Sequence, residues 1–292
     1  MPARVKMFDT GLNERLGAAK QHMNFAIECL GAHIPPGARI LDFGCGIGTS
    51  VGALLADGYD PYGVDVLEYW DRDFDKYWFT ADKPPAEIAR RLKRVDLTHY
   101  KLPYDDGTFD FCFSDQVFEH VFDYATTMSE IARVLKPSAF SLHRFPGPNY
   151  WIEGHINLPF PWLCYSGSYL TFCAWLAALR DSGVDWRARV KAQKESMRFN
   201  NYPTKMRLRR IARSSGVHIS FAETEEFLFR GGGRAAKLIA ILCKIRMDGL
   251  AANAAGLVMQ RYMILQGAGQ SAAEGSVSIL YAEEAGRIRI VI

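Results

Sequence analysis

The sequence lacks the features of a disulfide-rich module, a metal-binding domain or a polycation. Its six cysteines are widely spaced and form no CxxC pair, so we expect neither a disulfide framework nor a metal site, but a reducing compartment. The net charge of the 292 residues is only +3. Residues 1–10 contain no apolar run like that of a signal peptide. We therefore expect a cytoplasmic, globular chain.

Charged residues are missing from one internal segment and concentrated in the next. Residues 154–179 contain no Asp, Glu, Lys or Arg. Residues 180–213 contain 11 basic and 3 acidic residues. The chain thus carries an apolar block that is directly followed by a basic block.

Short apolar strands alternate with helical patterns, which predicts an α/β fold built on a parallel sheet. The predicted strands are 39–43, 61–66, 94–97, 109–114, 139–145, 217–221 and 257–265. The predicted helices are 11–31, 49–57, 84–94, 124–135, 162–179, 184–197, 206–214 and 234–246. We expect one domain over residues 1–267 that contains a helical lid at 149–204, followed by a tail at 268–292. In the tail, 277–281 and 288–292 are candidates for a hairpin.

A glycine-rich turn follows the first predicted strand. Gly44, Gly46 and Gly48 allow a ligand to approach the backbone closely, and the helix that begins after them offers free N–H groups. A dinucleotide-binding turn would have its third glycine at position 49, which is Thr49 here. Asp42, two residues before the turn, would repel a pyrophosphate and attract an ammonium group. This pattern disfavours a nicotinamide-dependent oxidoreductase.

Carboxylates also end the second and third predicted strands. Asp65 can accept hydrogen bonds from both hydroxyls of a ribose, and Asp96 can accept one from the exocyclic amine of adenine. Together with an ammonium site at Asp42, these groups describe S-adenosylmethionine as the ligand.

These residues and the segments around them resemble the class I S-adenosylmethionine-dependent methyltransferases, with a type-11-like domain. The similar segments are 40–48, 63–65, 96–97, 102–110, 119–121 and 131–137. The resemblance is good over residues 35–147 and loose over 206–267. It implies a seven-stranded, mostly parallel sheet whose last strand is antiparallel, with helices on both faces and the lid inserted between strands five and six.

The resemblance also implies which residues hold the cofactor. The methionine part is assigned to the first strand and its turn, the ribose to the end of the second strand, and the adenine to the end of the third. Two further residues are expected to line the pocket after the fourth strand. The implied residues are Asp42, Gly44, Cys45, Gly46, Gly48, Asp65, Val66, Asp96, Leu97, Ser114 and Gln116.

The catalytic candidates are less sharply defined, because methyl transfer depends mainly on positioning. A hydroxyl acceptor benefits from a general base, which favours His120, after the fourth strand, and Glu153 and His155, on the segment that leaves the fifth strand. The alternative is that these three only pack or hold the lid, and His143 is predicted to be structural. Residues 153–160 resemble an insertion in bacterial methyltransferases that modify cell-surface sugars or other secondary products. This resemblance implies O-methylation of a sugar, a lipid-linked glycan or a related metabolite.

The apolar block predicts a lid rather than a membrane span. Residues 162–179 reach only the lower length limit for a span and include polar residues, so a lid over the substrate cleft is favoured. The alternative is a lid that also touches the inner face of a membrane through 162–213. In that case the lipid-facing cations would be Lys205, Arg207, Arg209, Arg210 and Arg213.

Several partners and functions stay open at this point. We expect a small-molecule, glycan or glycolipid acceptor, and a nucleic acid is disfavoured because no RNA-binding motif is appended. Methylation of a lipid or another small molecule is an alternative, and so is a non-catalytic cofactor-binding scaffold. A homo-oligomer is compatible with the sequence.

Overall fold

A computed structural model describes most of the chain. The described residues are 19–68, 70, 86–149, 152–153, 156, 158–160, 163–180, 185–222, 260–266, 280–284 and 287–291. The predicted helix at 234–246 lies outside these residues, as do parts of several other predicted elements.

Up to residue 146 the described strands are separated by helices, except that β4 follows β3 through a loop at 95–108. The strands are β1 (Arg39–Phe43), β2 (Asp60–Asp65), β3 (Leu92–Arg94), β4 (Phe109–Asp115), β5 (Leu135–Pro146), β6 (Ile152–Glu153), β7 (Leu158–Pro159), β8 (Ile219–Phe221), β9 (Gln260–Gln266), β10 (Leu280–Glu284) and β11 (Arg287–Val291). The helices are α1 (19–30, with a π-helical turn at Phe25–Cys29), α2 (Thr49–Ala56), α3 (Ala86–Ala89), α4 (Tyr124–Val134), α5 (Gly167–Arg180), α6 (Trp186–Met197) and α7 (Lys205–Ser214). A 3₁₀ turn at Phe118–His120 follows β4.

Seven strands form one sheet in the order β3-β2-β1-β4-β5-β9-β8. The pairs among β1 to β5 are parallel, whereas β9 runs antiparallel to both β5 and β8. This confirms the predicted seven-stranded, mostly parallel sheet with an antiparallel last strand. In such a sheet the carboxyl ends of β1, β2 and β4 meet at one edge, which positions the site described below.

Alternation along the central strands places side chains on both faces of the sheet. In β1, Leu41 packs in the cluster that contains α4 and α7, whereas Ile40 packs in the cluster that contains α1. Helix α4 begins after Asp123, whose carboxylate accepts a hydrogen bond from the Thr126 N–H. The helices therefore cover both faces, as expected.

The third strand differs most from its predicted position. It was expected at 94–97, but β3 is Leu92–Arg94, and Arg94 pairs with Asp65, the last residue of β2. Because β3 is an edge strand, its only partner ends there and the chain leaves the sheet. Asp96 consequently lies two residues beyond the strand.

The insertion after β5 contains a helical hairpin. Leu170 and Ala174 of α5 pack with Val190 and Met197 of α6 in a separate apolar cluster. Helix α6 is within two residues of its predicted bounds, whereas α5 begins at Gly167, five residues later than the predicted start at 162. Within the described part of the chain, none of the helices combines the length and apolar composition that a membrane crossing requires. In the tail, β10 and β11 pair antiparallel in a two-stranded sheet of their own.

Candidate functional site

A cavity of about 860 Å³ lies at the carboxyl ends of β1, β2 and β4. Its wall combines strand ends with the 3₁₀ turn and one residue of the insertion. The described lining residues are Phe43, Gly44, Val64, Asp65, Val66, Leu67, Val95, Leu97, Tyr100, Asp115, Gln116, Val117, His120, Val121, Phe122, Asp123, Thr127 and Phe199. The position is the one where open α/β sheets bind their ligands.

The glycine turn brings backbone to this cavity. Gly44 has φ +81°, and a Cβ atom at this position would overlap the side chain of Val117. Its N–H donates to the carbonyl oxygen of Val64 at 2.8 Å, which joins β1 to β2. Gly46 and Gly48 also have positive φ, and α2 begins after Gly48. Gly44 is therefore required both by the backbone conformation and by the space beside it.

Asp65 ties this turn to the end of β2. Its Oδ2 atom accepts a hydrogen bond from the Gly46 N–H at 2.9 Å, and its Oδ1 atom accepts one from the Val66 N–H at 2.7 Å. Burial raises the pKa of the Asp65 carboxyl above its ordinary value, and these N–H donors partly offset the effect. Asp65 and Val66 both line the cavity.

Asp42 adds a second buried carboxyl group next to the turn. The residue is 5% exposed. Burial, followed by the negative charges of Asp65 and Asp115, raises the pKa of Asp42 to about 8. A cationic ligand group close to Asp42 would favour its ionised form. Asp42 is not among the described lining residues of the cavity, but it directly precedes Phe43 and Gly44, which are.

Asp115 at the end of β4 is neutralised within the protein. Burial alone would raise its pKa, but hydrogen bonds and charge from His22 and Arg144 hold the pKa well below its usual range. The Arg144 guanidinium donates to both carboxylate oxygens, at 2.7 and 2.6 Å. Of the two strand-end carboxylates that line the cavity, Asp115 is thus already balanced by cations of the protein, whereas Asp65 accepts from backbone N–H groups.

His120 lies on the wall formed by the 3₁₀ turn. Its Nδ1 atom is 2.9 Å from the carbonyl oxygen of Phe199, which follows α6. A carbonyl oxygen can only accept, so Nδ1 carries the proton and Nε2 is the basic nitrogen of the neutral ring. The insertion is held at this point by a second contact, from the Asn201 N–H to the carbonyl oxygen of Glu119. The insertion therefore contributes to the wall of the cavity through Phe199.

The structure brings many of the predicted site residues together. Gly44, Asp65, Val66, Leu97, Gln116 and His120 line the cavity. The strand β1 contains Asp42, and the turn that contains Gly44 also includes Cys45, Gly46 and Gly48.

Asp96 and Ser114 are placed differently from the expectation. The Asp96 side chain is 64% exposed and accepts a hydrogen bond from the Thr98 N–H, and the described lining includes its neighbour Leu97 but not Asp96. Ser114 is fully buried, with its Oγ atom 2.8 Å from Nδ1 of His143. Since β4 continues to Asp115, Ser114 lies inside the sheet rather than at its edge.

His143 has the environment of a structural histidine. Its Nε2 atom lies 2.8 Å from Oγ of Ser141, and its side chain is fully buried. Burial, and secondarily the charge of His22, lowers the pKa of His143 to about 3. The ring is therefore neutral at physiological pH.

Two of the catalytic candidates lie at the limit of what the structure describes. The backbone of Glu153 pairs with Leu158 in the β6–β7 ladder, but its side chain is not among the described residues. His155 lies wholly outside them. Both therefore stay predictions. Among the residues that the structure does describe, no group of three or more His, Cys, Asp or Glu side chains is placed to hold a metal ion.

Sequence reasoning missed two important residues of the wall. Asp115 ends β4 as Asp65 ends β2, so the same argument about strand ends would have found it. Phe199 reaches the cavity only because the insertion folds back onto the 3₁₀ turn, and no local pattern signals that.

Part of the chain is similar to known methyltransferases. Residues 41–142 match the family model described as a methyltransferase domain. The demethylmenaquinone methyltransferase of Bacillus mycoides is 33% identical over 111 residues, which cover 36% of this chain and 43% of that protein. The sterol 24-C-methyltransferase ERG6B of Gibberella zeae is 29% identical over 121 residues, covering 41% and 30%. The O-methyltransferase cnsE of Penicillium expansum is 30% identical over 122 residues, covering 38% and 39%. The similarity thus spans less than half the length of each relative.

Proposed function

We propose that this chain, whose residues 41–142 form a class I S-adenosylmethionine-dependent methyltransferase domain, transfers a methyl group from that cofactor to an oxygen atom of an apolar or lipid-linked acceptor. The observation that carries the proposal is that Asp65 and His120 line the same cavity, in different parts of its wall. The first part suits the cofactor and the second suits the acceptor.

The residues around the glycine turn fit the cofactor. Asp42 would hold its ammonium group. Because Gly44 has no side chain, the cofactor can approach the backbone at this residue. Asp65 would accept hydrogen bonds from the ribose hydroxyls. Val66 and Leu97 supply apolar surface from the ends of β2 and the β3 loop, where the adenine ring would lie. When bound, S-adenosylmethionine supplies an electrophilic methyl group that needs no further activation.

The rest of the wall suits an apolar acceptor. Val117, Val121, Phe122 and Phe199 line it around His120. Two of the relatives are named for a quinone precursor and a sterol, which are apolar molecules. An acceptor with an apolar or lipid part would bury that part against these side chains. A sugar or aromatic hydroxyl on the same molecule would then face His120.

His120 provides the proton acceptor for an oxygen nucleophile. With Nδ1–H held by the Phe199 carbonyl oxygen, the Nε2 atom can take the proton of a hydroxyl group as the new oxygen–methyl bond forms and the sulfur–methyl bond breaks. The contact to Phe199 also fixes the plane of the ring. Positioning of the acceptor by the apolar wall supplies the remaining part of the rate enhancement.

C-methylation is the second candidate, because the sterol methyltransferase relative is named for transfer to carbon. A carbon acceptor would use the same cofactor residues, but would lose its proton from carbon after or during methyl transfer. The two candidates therefore differ in the product and not in the binding of the cofactor.

Product analysis with labelled cofactor tests the proposal. The full chain would be incubated with trideuteromethyl S-adenosylmethionine and one of three acceptors: a prenylated hydroquinone, a polyprenyl-linked monosaccharide or a sterol. Fragment masses then locate the label on oxygen or on carbon, with Asp65→Ala as the inactive control. Label on oxygen supports the proposal and label on carbon supports the second candidate. Cofactor binding without any labelled product would favour a non-catalytic scaffold.

A further inference from the structure

We propose that the helical hairpin of α5 and α6 docks on an anionic membrane surface, with one face of α5 lying in the lipid interface. We call this surface the docking face, and it consists of Phe172, Trp175, Leu176 and Leu179.

The docking face is a continuous apolar stripe that the fold leaves in water. Its four residues are spaced by three, four and seven positions, so they share one side of the helix. Phe172, Trp175 and Leu179 are 55%, 47% and 64% exposed. The opposite side of α5 already fills the hairpin core, where Leu170 and Ala174 are buried. The internal packing of the hairpin therefore does not use the docking face.

Cations lie at both ends of the α5–α6 hairpin. At the beginning of α5, a Cβ atom on Gly167 would be 3.1 Å from Nζ of Lys194 of α6. At the end of α5 stands Arg180, which is exposed. Arg187, also exposed, stacks on Trp186 at the start of α6 with its Cζ atom 4.5 Å from the ring centroid. An exposed apolar face on a hairpin that also carries exposed cations is typical of an element that lies in the interface of anionic lipids.

Basic residues outnumber acidic ones in the hairpin by five to three over residues 167–197, where the acidic residues are Asp181, Asp185 and Glu195. No Asp or Glu occurs between residues 154 and 180. Helix α6 contains four basic residues, Arg187, Arg189, Lys191 and Lys194, and a single acidic one, Glu195. The charge of the hairpin is thus complementary to anionic headgroups, which favours a membrane over an uncharged apolar partner.

Two of the α7 cations that the sequence suggested as lipid-facing have contacts within the protein. Arg207 donates to Oδ1 of Asn201 at 3.0 Å and lies over the ring of Tyr124. Arg209 lies over the ring of Phe221. Because the exposed apolar stripe is on α5, we assign the lipid contact to the α5–α6 hairpin, and the exposed Arg210 and Arg213 of α7 serve for comparison.

The hairpin is joined directly to the cavity. Phe199, which lines the cavity, comes two residues after α6 ends at Met197. The Tyr165 hydroxyl, just before α5, donates to the carbonyl oxygen of Asn200 at 3.1 Å. A membrane-bound hairpin would thus hold the mouth of the cavity close to lipid. Delivery of an acceptor from the bilayer rests on the proposed function, whereas docking itself does not.

Vesicle co-sedimentation of the full chain tests docking without cofactor or acceptor. We expect the protein to sediment with vesicles of phosphatidylcholine and phosphatidylglycerol, and to bind pure phosphatidylcholine at least about tenfold more weakly. The triple variant Phe172→Ser, Trp175→Ser and Leu179→Ser should lose binding by at least about tenfold, because each side chain inserts apolar area.

Two matched variants complete the experiment. Arg187→Ala with Lys194→Ala should weaken binding to anionic vesicles, whereas Arg210→Ala with Arg213→Ala removes the same charge from α7 and should not. Binding of S-adenosylhomocysteine by each variant checks that its domain is folded.

Three results would overturn the inference. One is the absence of binding to anionic vesicles at low salt. Another is equal binding by the triple serine variant. The third is a dimer in light scattering that the triple serine variant abolishes, together with a parent protein that does not bind vesicles. In that case the docking face would contact a second copy of the chain. Because no methyl transfer is measured, failure here leaves the proposed function untouched.

Discussion

The Nδ1 atom of His120 lies 2.9 Å from the carbonyl oxygen of Phe199, a residue 79 positions later in the chain. This hydrogen bond joins the 3₁₀ turn after β4 to the helical insertion. It makes Nε2 the basic nitrogen of the neutral ring, and it depends on the insertion being folded against the turn.

The variant His120→Ala is expected to lower kcat for a hydroxyl acceptor by about 10²- to 10⁴-fold, because the proton acceptor is lost. The dissociation constant of S-adenosylhomocysteine should be unchanged, since the cofactor residues lie elsewhere in the cavity. Steady-state kinetics and calorimetry measure the two quantities separately. His33→Ala, an exposed histidine in the loop before β1, is the matched control and should behave as the parent protein. An unchanged kcat for His120→Ala would remove His120 from the mechanism.

Binding of the cofactor product should depend on pH through Asp42. The pKa of this carboxyl is about 8 in the fold, so below pH 8 its proton must leave before the carboxylate can pair with an ammonium group. Affinity for S-adenosylhomocysteine should therefore rise with pH by up to about tenfold per unit until pH 8. Calorimetry in buffers of different ionisation enthalpy should detect the released proton. Binding at pH 6.5 without proton release, or with the same release in Asp42→Asn, would contradict this role.

The same carboxyl affects the stability of the ligand-free protein. Its pKa is raised from 3.8 to about 8 on folding, so the folded state holds a proton that the unfolded state has lost. The contribution of Asp42 to the free energy of unfolding should consequently decrease as the pH rises from about 4 to about 8, and the loss should be complete above pH 8. Asp42→Asn should remove this contribution, which urea unfolding at several pH values would show. A variant with the pH dependence of the parent would assign the effect to other groups.

Asp65 and Asp96 should contribute unequally to cofactor binding. Asp65 lines the cavity and accepts from the Gly46 N–H, whereas the carboxylate of Asp96 is exposed and accepts from the Thr98 N–H. Asp65→Ala is expected to weaken the binding of S-adenosylhomocysteine by at least about tenfold, because one charge-assisted hydrogen bond is lost. Asp96→Ala should weaken it less. If the two losses are equal, the loop after β3 must move on binding and bring Asp96 to the adenine.

Ser114 should matter for stability rather than binding. Its hydroxyl lies 2.8 Å from Nδ1 of the buried His143. Ser114→Ala would leave that nitrogen without this partner and cost about 1–3 kcal/mol of unfolding free energy. Urea unfolding measures the loss, and calorimetry should show unchanged affinity for S-adenosylhomocysteine. A large loss of affinity in a Ser114→Ala variant of normal stability would instead indicate that Ser114 takes part in cofactor binding.

The sequence predicts the parts of the site that are contiguous in the chain. A strand, a glycine turn and a helix follow one another from Arg39 to Ala56, so β1 and Gly44 could be placed without knowing the rest. Asp65 followed from the rule that parallel strands end at one edge of the sheet.

The parts that depend on distant contacts could not be placed in this way. The bounds of β3 are set by the end of its partner β2, and Ser114 is internal because β4 extends one residue further than its pattern indicates. Phe199 reaches His120 through the packing of the insertion, which has no local signature.

The central claim is that the cavity between β1, β2 and β4 binds S-adenosylmethionine, and the most direct test is calorimetric titration of the full chain with S-adenosylhomocysteine and with NADH. We predict micromolar binding of S-adenosylhomocysteine, its loss in Asp65→Ala, and no binding of NADH. A folded protein that does not bind S-adenosylhomocysteine, or that binds it equally well in Asp65→Ala, would contradict the account.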